Sequence, residues 1–194
     1  MKIIGITGGV GSGKSEVLKH LQREYGAVVY QADEIAKQLQ RKGTPCYERI
    51  LSHFGRQILA ADGELDRIKL AEIVFAKEEE LAVLNRIVHP EVKSFLQQEI
   101  DRHKAAGTHY LIIEAALLLE NDYDAICDEI WYIHTEKEIR RERLKASRGY
   151  EDGKIEAIVA SQMSDEVFRQ RCDVVIENSR DFFETKQQIG ELLE

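Results

Sequence analysis

The sequence predicts an α/β fold, a doubly wound five-stranded parallel sheet interrupted by two helical insertions. Three observations carry this expectation. Five short apolar runs alternate with helical patterns, the order expected of strand–helix–strand units. Most of these runs are β-branched or aromatic in the middle, as strands buried on both faces require. A glycine-rich turn joins the first run to the first helix, and doubly wound sheets bind ligands beyond the carboxyl ends of their strands. The chain's 194 residues are enough for one substantial core with insertions of subdomain size.

The first strand is predicted over residues 2–7 and leads directly into Gly8-Gly9-Val10-Gly11-Ser12-Gly13-Lys14-Ser15. A strand, a glycine-rich turn and a Lys-Ser pair opening a helix are the context of a phosphate-binding loop. Gly8, Gly9, Gly11 and Gly13 let the backbone curl with positive φ and bring its N–H groups close to an anion without a Cβ in the way. The helix that follows adds its positive end. Lys14 is placed to reach the β- and γ-phosphates, and the Ser15 hydroxyl is a ligand for Mg²⁺. An ordinary turn of a βα unit explains several of the glycines but not the whole spacing. The pattern predicts binding of a nucleoside triphosphate.

The first helix is expected over 14–24, with Tyr25-Gly26 as its stop. A second strand follows at 27–30, and Asp33 comes just after it. In this fold a carboxylate there can take a proton from an attacking hydroxyl and hold it in line. It is equally a good helix N-cap, and the sequence leaves both roles open. Residues 33–107 carry no convincing strand and read as helices at 34–41, 47–54 and 67–75, then a pair over 79–103 broken near Pro90. An insertion of this length is a helical subdomain rather than a connection. His89 precedes that proline and reads first as a helix boundary.

The third strand is expected at 110–114, with Glu114 and Glu120 bracketing an apolar segment after it. An acid at a strand's carboxyl end can organise a Mg²⁺ shell, or it can pair with a buried cation. The fourth strand is placed at 130–134 and the fifth at 173–177. Between them, residues 136–170 form a charged helical insertion containing Arg140, Arg141, Arg143 and Arg148. Such a run is ordinarily a solvated face, but beside a phosphate loop it can act as a closing lid. Of these arginines, Arg143 and Arg148 are taken as the contributors. Asn178, past the fifth strand, is either a contact to the nucleotide base or a loop-capping amide.

Composition narrows the class. A formal net charge of -8 argues against a general nucleic-acid binder, and no apolar run has the length of a membrane span. The N-terminus enters the first strand at once, leaving no room for a signal peptide. Cys46, Cys127 and Cys172 are far apart, form no metal motif and read as reduced fillers, which together predict a cytoplasmic protein. The six histidines show no metal-binding spacing.

These segments together resemble the dephospho-coenzyme A kinase family over nearly the whole length. The likeness runs through the phosphate loop, Ala32-Asp33, Gly63-Glu64-Leu65-Asp66-Arg67, Val88-His89-Pro90, Leu117-Leu118-Leu119-Glu120, Arg143-Leu144, Ser161-Gln162-Met163 and Ile176-Glu177-Asn178-Ser179. The resemblance implies transfer of the ATP γ-phosphate to the ribose 3′-hydroxyl of dephospho-coenzyme A. It implies a nucleotide-binding core (1–32, 108–135 and 171–194), an acceptor-binding helical domain (33–107) and a lid (136–170). It also implies that Asp33 is the base and that Gly11, Ser12, Gly13, Lys14, Ser15 and Glu16 hold the ATP phosphates. Arg67, His89, Leu117 and Glu120 would line the acceptor side, with Arg143 and Arg148 in the lid. The chain departs from the family pattern at Gln31, where an Asp is usual, at Ala116, where a Pro is usual, and at Glu16, where Thr is common. Its lid is also one residue longer between Arg143 and Arg148. Rival readings are a nucleoside or nucleotide kinase of the same architecture, a nucleotide switch, and a structural protein with a vestigial loop. The sequence has no Asn-Lys-x-Asp guanine-reading motif to favour the switch, and it says nothing of oligomeric state.

Overall fold

The structure, a computed structural model, describes residues 1–193. Contacts group the chain into two units: residues 1–30 together with the chain from 103 onward, and Gln31–Arg102.

The first unit is built on strands β1 (Lys2–Thr7), β2 (Val28–Gln31), β3 (Tyr110–Glu114), β4 (Glu129–His134) and β5 (Val174–Glu177). They form one parallel sheet in the order β2-β3-β1-β4-β5. The first strand in sequence is therefore central, and the loop that follows it leaves from the middle of the sheet's carboxyl edge. Register sets the neighbours of that loop. Ile6 lies opposite Glu114, Thr7 opposite Tyr132, and His134 opposite Glu177.

Helix α1 (Lys14–Tyr25) turns Val17, Leu18 and Leu21 onto Ile4, Ile6, Ile112, Trp131, Ile133 and Ile176 of the sheet. It ends where expected, with Gly26 in the left-handed region at φ 60° donating its N–H to Leu21 O. Trp131 is fully buried in this cluster. Trp131→Ala is expected to cost roughly 3–5 kcal/mol, because the cavity adds to the lost transfer free energy; urea unfolding measures it.

Helices α2 (Ala32–Leu39), α3 (Pro45–Phe54), α4 (Arg67–Ala76) and α5 (Glu78–Ala105) make up most of the second unit and reach its end. Thr44 caps α3 by accepting the Tyr47 N–H, with Pro45 in the first turn. Asp66 caps α4 through the N–H groups of Ile68 and Lys69. Both helices pack on the short 3₁₀ turn at Arg56–Ile58, whose Ile58 is fully buried with Ile50.

The expected break at Pro90 does not occur, since α5 runs through it. A proline removes only its own N–H from the ladder and crowds one carbonyl, at a cost of about 3 kcal/mol. The buried positions Val88, Val92, Leu96 and Ile100 stay in phase at four-residue spacing across it, so packing outweighs that cost. His89 is accordingly a helical residue and not a boundary.

The charged insertion folds as α6 (Lys137–Arg148), α7 (Asp152–Ala160) and α8 (Asp165–Arg171), and α9 (Phe182–Leu193) returns to the sheet. The cysteines form no disulfide among the described residues. Burial pushes the Cys127 thiol up to about 12 and that of Cys172 to about 11, with nearby aspartates adding to it, so both stay protonated. No helix among the described residues is long and apolar enough to cross a membrane.

Candidate active site

The glycine-rich loop is a built anion cradle. Gly8, Gly11 and Gly13 adopt φ of 151°, 83° and 88°, which side-chain-bearing residues rarely adopt, whereas Gly9 lies outside that region, contrary to the sequence expectation. Gly13 is the N-cap of α1, and no side chain caps that helix. The positive end of the helix dipole, with no side chain closing it, favours an incoming anion. The Lys14 ammonium is folded back over the loop, donating to Gly8 O at 2.7 Å and lying 3.8 Å from Glu114 Oε1. Its side chain is only 14% exposed, so the charge is pre-positioned. Glu114 pairs with a buried cation, Lys14. Ser15 and Glu16 are exposed at the start of α1.

Two sets of side chains hold the loop in shape. The first is buried. Asn178 Nδ2 donates to Ser12 O at 2.7 Å, while its Oδ1 accepts from the Thr185 hydroxyl at 2.9 Å. The Thr135 hydroxyl lies 3.0 Å from Ser12 O and 3.1 Å from Asn178 O, and its single proton can serve one of them at a time. Asn178 acts as the loop-capping amide, since its side chain is buried with Nδ2 on Ser12 O and Oδ1 on the Thr185 hydroxyl. Asn178→Leu is expected to lose about 1–3 kcal/mol of stability, because the buried Ser12 O loses its amide donor and keeps only the Thr135 proton, for which Asn178 O competes. Thermal unfolding and nucleotide affinity measure the two consequences together.

The second set comes from the charged insertion. Arg140 Nε donates to Val10 O at 3.0 Å and its Nη2 to Gln162 Oε1 at 2.8 Å; the same oxygen accepts the Val10 N–H at 3.2 Å. A Cβ on Gly9 would run into the Arg140 guanidinium. Burial pulls the Arg140 pKa below the ordinary arginine value, with Tyr132 and Asp165 opposing. Arg143 Nη2 donates to Asn178 O at 2.9 Å and its Nη1 to the Thr135 hydroxyl at 3.4 Å. Arg143 thus lies against the loop. Arg148, at the end of α6, is exposed, with its guanidinium 5.9 Å from the Tyr150 ring centroid.

Arg140, Gln162 and Thr135 are absent from the residues that sequence reasoning assigned to the site. Arg140 stands in the basic run, but nothing in that run distinguishes the arginine facing the loop from those facing water. Gln162 belongs to a segment already recognised by resemblance, and that segment was the available signal.

After β3, Leu118 and Leu119 are buried whereas Leu117 is 49% exposed, and Glu120 is exposed. In the second unit, Asp33 occupies the first turn of α2, two residues past the end of β2. The N-cap of that helix is Gln31, so the capping role open to Asp33 is excluded. Its carboxylate is exposed and makes no hydrogen bond or ion pair among the described residues. Arg67 is the first residue of α4 and is exposed. His89 is half-buried, and burial lowers its pKa from the ordinary value, which keeps the ring neutral at pH 7.

No group of three or more metal-ligating side chains occurs among the described residues. That donor set is not what a triphosphate-bound Mg²⁺ needs: it takes most of its ligands from phosphate and water. One exposed hydroxyl beside the cradle fits the requirement, and Ser15 supplies it.

Comparison with known proteins places this geometry. The sequence model of the dephospho-CoA kinase family matches residues 2–184. A dephospho-CoA kinase of Carboxydothermus hydrogenoformans is 38% identical over 194 residues, covering 100% of this chain and 94% of that protein. One from Bacillus licheniformis is 38% identical over 193 residues, covering 99% and 95%. Among solved structures, a Thermus thermophilus protein superposes with a TM-score of 0.81 at 30% identity, covering 99% of this chain and 96% of that one. A dephospho-CoA kinase from Campylobacter jejuni shares the fold, with a TM-score of 0.73 at 23% identity over 100% and 98% of the two chains. With a phosphate loop of this construction and a match extending from β1 into α9, the chain belongs to the dephospho-CoA kinase family.

Proposed function

We infer that the chain transfers the γ-phosphate of ATP to the ribose 3′-hydroxyl of dephospho-coenzyme A, yielding coenzyme A and ADP, the last step of coenzyme A biosynthesis. The observation that carries this is the start of α1 without a side-chain cap, with Lys14 held 2.7 Å from Gly8 O, in a chain that matches the kinase family over residues 2–184. Phosphoryl transfer asks for positioning and charge neutralisation more than covalent chemistry.

Backbone amides from Gly11 to Glu16 hold the phosphates, and Lys14 neutralises charge on the transferring group. Arg143 and Arg148 belong to a lid formed by residues 136–170, and of these two Arg143 is the nearer to the loop. Ser15 holds the Mg²⁺, which supplies charge stabilisation at the phosphates when bound. Asp33 accepts the proton of the 3′-hydroxyl as that oxygen bonds to the γ-phosphorus and the bond to ADP breaks. Its lack of a partner among the described residues supports this role. Arg67, His89, Leu117 and Glu120 line the acceptor side, and residues 33–107 form the acceptor domain. Three cysteines without a disulfide among the described residues, Cys46 buried and Cys127 and Cys172 half-buried, support a cytoplasmic setting.

The test is ADP release measured across dephospho-coenzyme A, nucleosides and nucleoside monophosphates, with the product checked for phosphate at the 3′ position. Turnover with dephospho-coenzyme A alone is expected. Turnover only with nucleoside monophosphates would replace this reading with that of a nucleotide kinase, and acceptor-independent hydrolysis would point to a switch.

A further inference from the structure

One ring of charges fastens the charged insertion at both ends. His134, the last residue of β4, stands just before the insertion begins, and Asp165 and Arg169 lie in α8, where it ends. His134 Nδ1 is 2.6 Å from Oε2 of Glu177, its neighbour across the β4–β5 register, and its Nε2 is 3.4 Å from Asp165 Oδ1. Arg169 closes the ring, with Nε 2.9 Å from Asp165 Oδ2 and Nη2 3.0 Å from Glu177 Oε1. The Tyr132 hydroxyl donates to Asp165 Oδ1 at 2.9 Å. Ionised carboxylates only accept, so a neutral imidazole, with its single N–H, satisfies one of the two. Both are satisfied by the imidazolium, which also supplies the positive charge that Arg169 alone leaves missing. The His134 side chain is only 15% exposed, which limits what water can do in its place.

Burial works against both carboxylates. Hydrogen bonds from Arg169 and Tyr132 to Asp165, and from His134 and Arg169 to Glu177, nevertheless hold each below the ordinary carboxylate value. They stay ionised where an imidazole titrates, between about pH 5 and 8. Other charged groups share clefts with His134: Glu136, Lys137, Glu138 and Arg140 at the start of the insertion, and Arg180, Glu184 and Glu191 beside α9. Acids outnumber bases among them, which favours the cation further.

We propose that His134 is a positioning residue whose proton fastens the insertion: as the imidazolium it ties Glu177 to Asp165, and so the sheet's carboxyl edge to α8. The inference rests on residues 136–170 being the lid of the proposed kinase. Next to His134 is Thr135, whose hydroxyl is 3.0 Å from Ser12 O, and just before α8 is Gln162, whose Oε1 accepts the Val10 N–H. Slack at either end of the insertion therefore reaches the phosphate loop through those two residues. The brace is complete at the acid end of the imidazole's range and is lost as pH rises through it.

The test compares the full chain with His134→Gln and His134→Lys variants at both ends of that range, by steady-state kinetics and thermal melting. Each KM for ATP is taken as a ratio to the wild type at the same pH, which cancels the titration of ATP itself. Glutamine, like the neutral ring, is uncharged and has both a donor and an acceptor. At the acid end His134→Gln should raise KM for ATP about fivefold, the scale of one partly exposed charge pair. At the alkaline end the two chains should coincide, and the gap in melting temperature should close in the same way. His134→Lys stays charged throughout, so it should match the wild type in acid and bind ATP more tightly in alkali. In an Asp165→Asn background an amide donor faces Nε2 and the neutral ring suffices, so the glutamine substitution should lose its pH dependence. Hydrogen exchange on the wild type alone gives a reading that needs no variant to fold: α8 amides, corrected for intrinsic rates, should lose protection as pH rises. A KM ratio or melting gap equal at both ends, or protection of α8 that does not fall, overturns the proposal. A wild-type chain that phosphorylates no dephospho-coenzyme A overturns the parent reading instead, and melting and exchange then decide the brace without reference to catalysis.

Discussion

Lys14→Met is expected to reduce turnover by about 100- to 1,000-fold, the scale on which pre-organised transition-state contacts act. Methionine keeps the length of the side chain and removes its charge. The wild-type ammonium is already fixed by the Gly8 carbonyl at 2.7 Å in a place where its side chain is 14% exposed. It need not be reorganised when the triphosphate arrives, and low exposure strengthens its field on the transferring phosphoryl group. Glu114, 3.8 Å away, complicates the experiment because the substitution also removes a cation from beside a buried carboxylate. The double variant Lys14→Met/Glu114→Gln separates the two effects. It restores the local charge balance and should remain as inactive as the single variant. Recovery of turnover in the double variant would assign Lys14 to charge balance in place of catalysis.

Asp33→Asn is expected to lower kcat by about 10²- to 10⁴-fold, the usual worth of a positioned general base. Asparagine is the sharpest replacement here. It caps helices as well as aspartate does, so a capping residue would tolerate the change and a base would not. The structure shows Gln31 at the capping position and the Asp33 carboxylate exposed and unpaired among the described residues. Folding stability should therefore change by less than about 1 kcal/mol, the value of a charge near a helix N-terminus. Thermal unfolding and steady-state kinetics on the same preparation check both halves. Near-normal turnover in a folded variant would remove Asp33 from the reaction.

The two arginines of the lid show where local reasoning stops. Arg143 and Arg148 stand in one helix and look alike in sequence. Arg143 hydrogen-bonds Asn178 O and the Thr135 hydroxyl, beside the phosphate loop, whereas Arg148 lies out at the end of α6 by Tyr150. Arg140, which holds Val10 O, was not distinguished from its neighbours at all. The facing of a helix depends on what it packs against, and α6 is too uniformly charged for its own pattern to reveal it. Pro90 makes the same point in reverse. A residue with a strong local preference for ending helices sits inside α5 because the buried stripe on either side stays in phase.

What the chain determines locally is legible without coordinates. Strand and helix alternation, the glycine-rich turn and the Lys-Ser pair that follows it are all properties of consecutive residues, and the phosphate loop is built from consecutive residues. Tertiary structure alone decided which distant side chains brace that loop: Asn178 and Thr135 from the ends of β5 and β4, Arg140 and Gln162 from the charged insertion. It also decided that Asp33 is no cap, because the helix begins at Ala32, directly after β2. Those outcomes depend on hydrogen bonds between groups more than a hundred residues apart and on packing energies summed over whole elements, which no window of neighbouring residues contains.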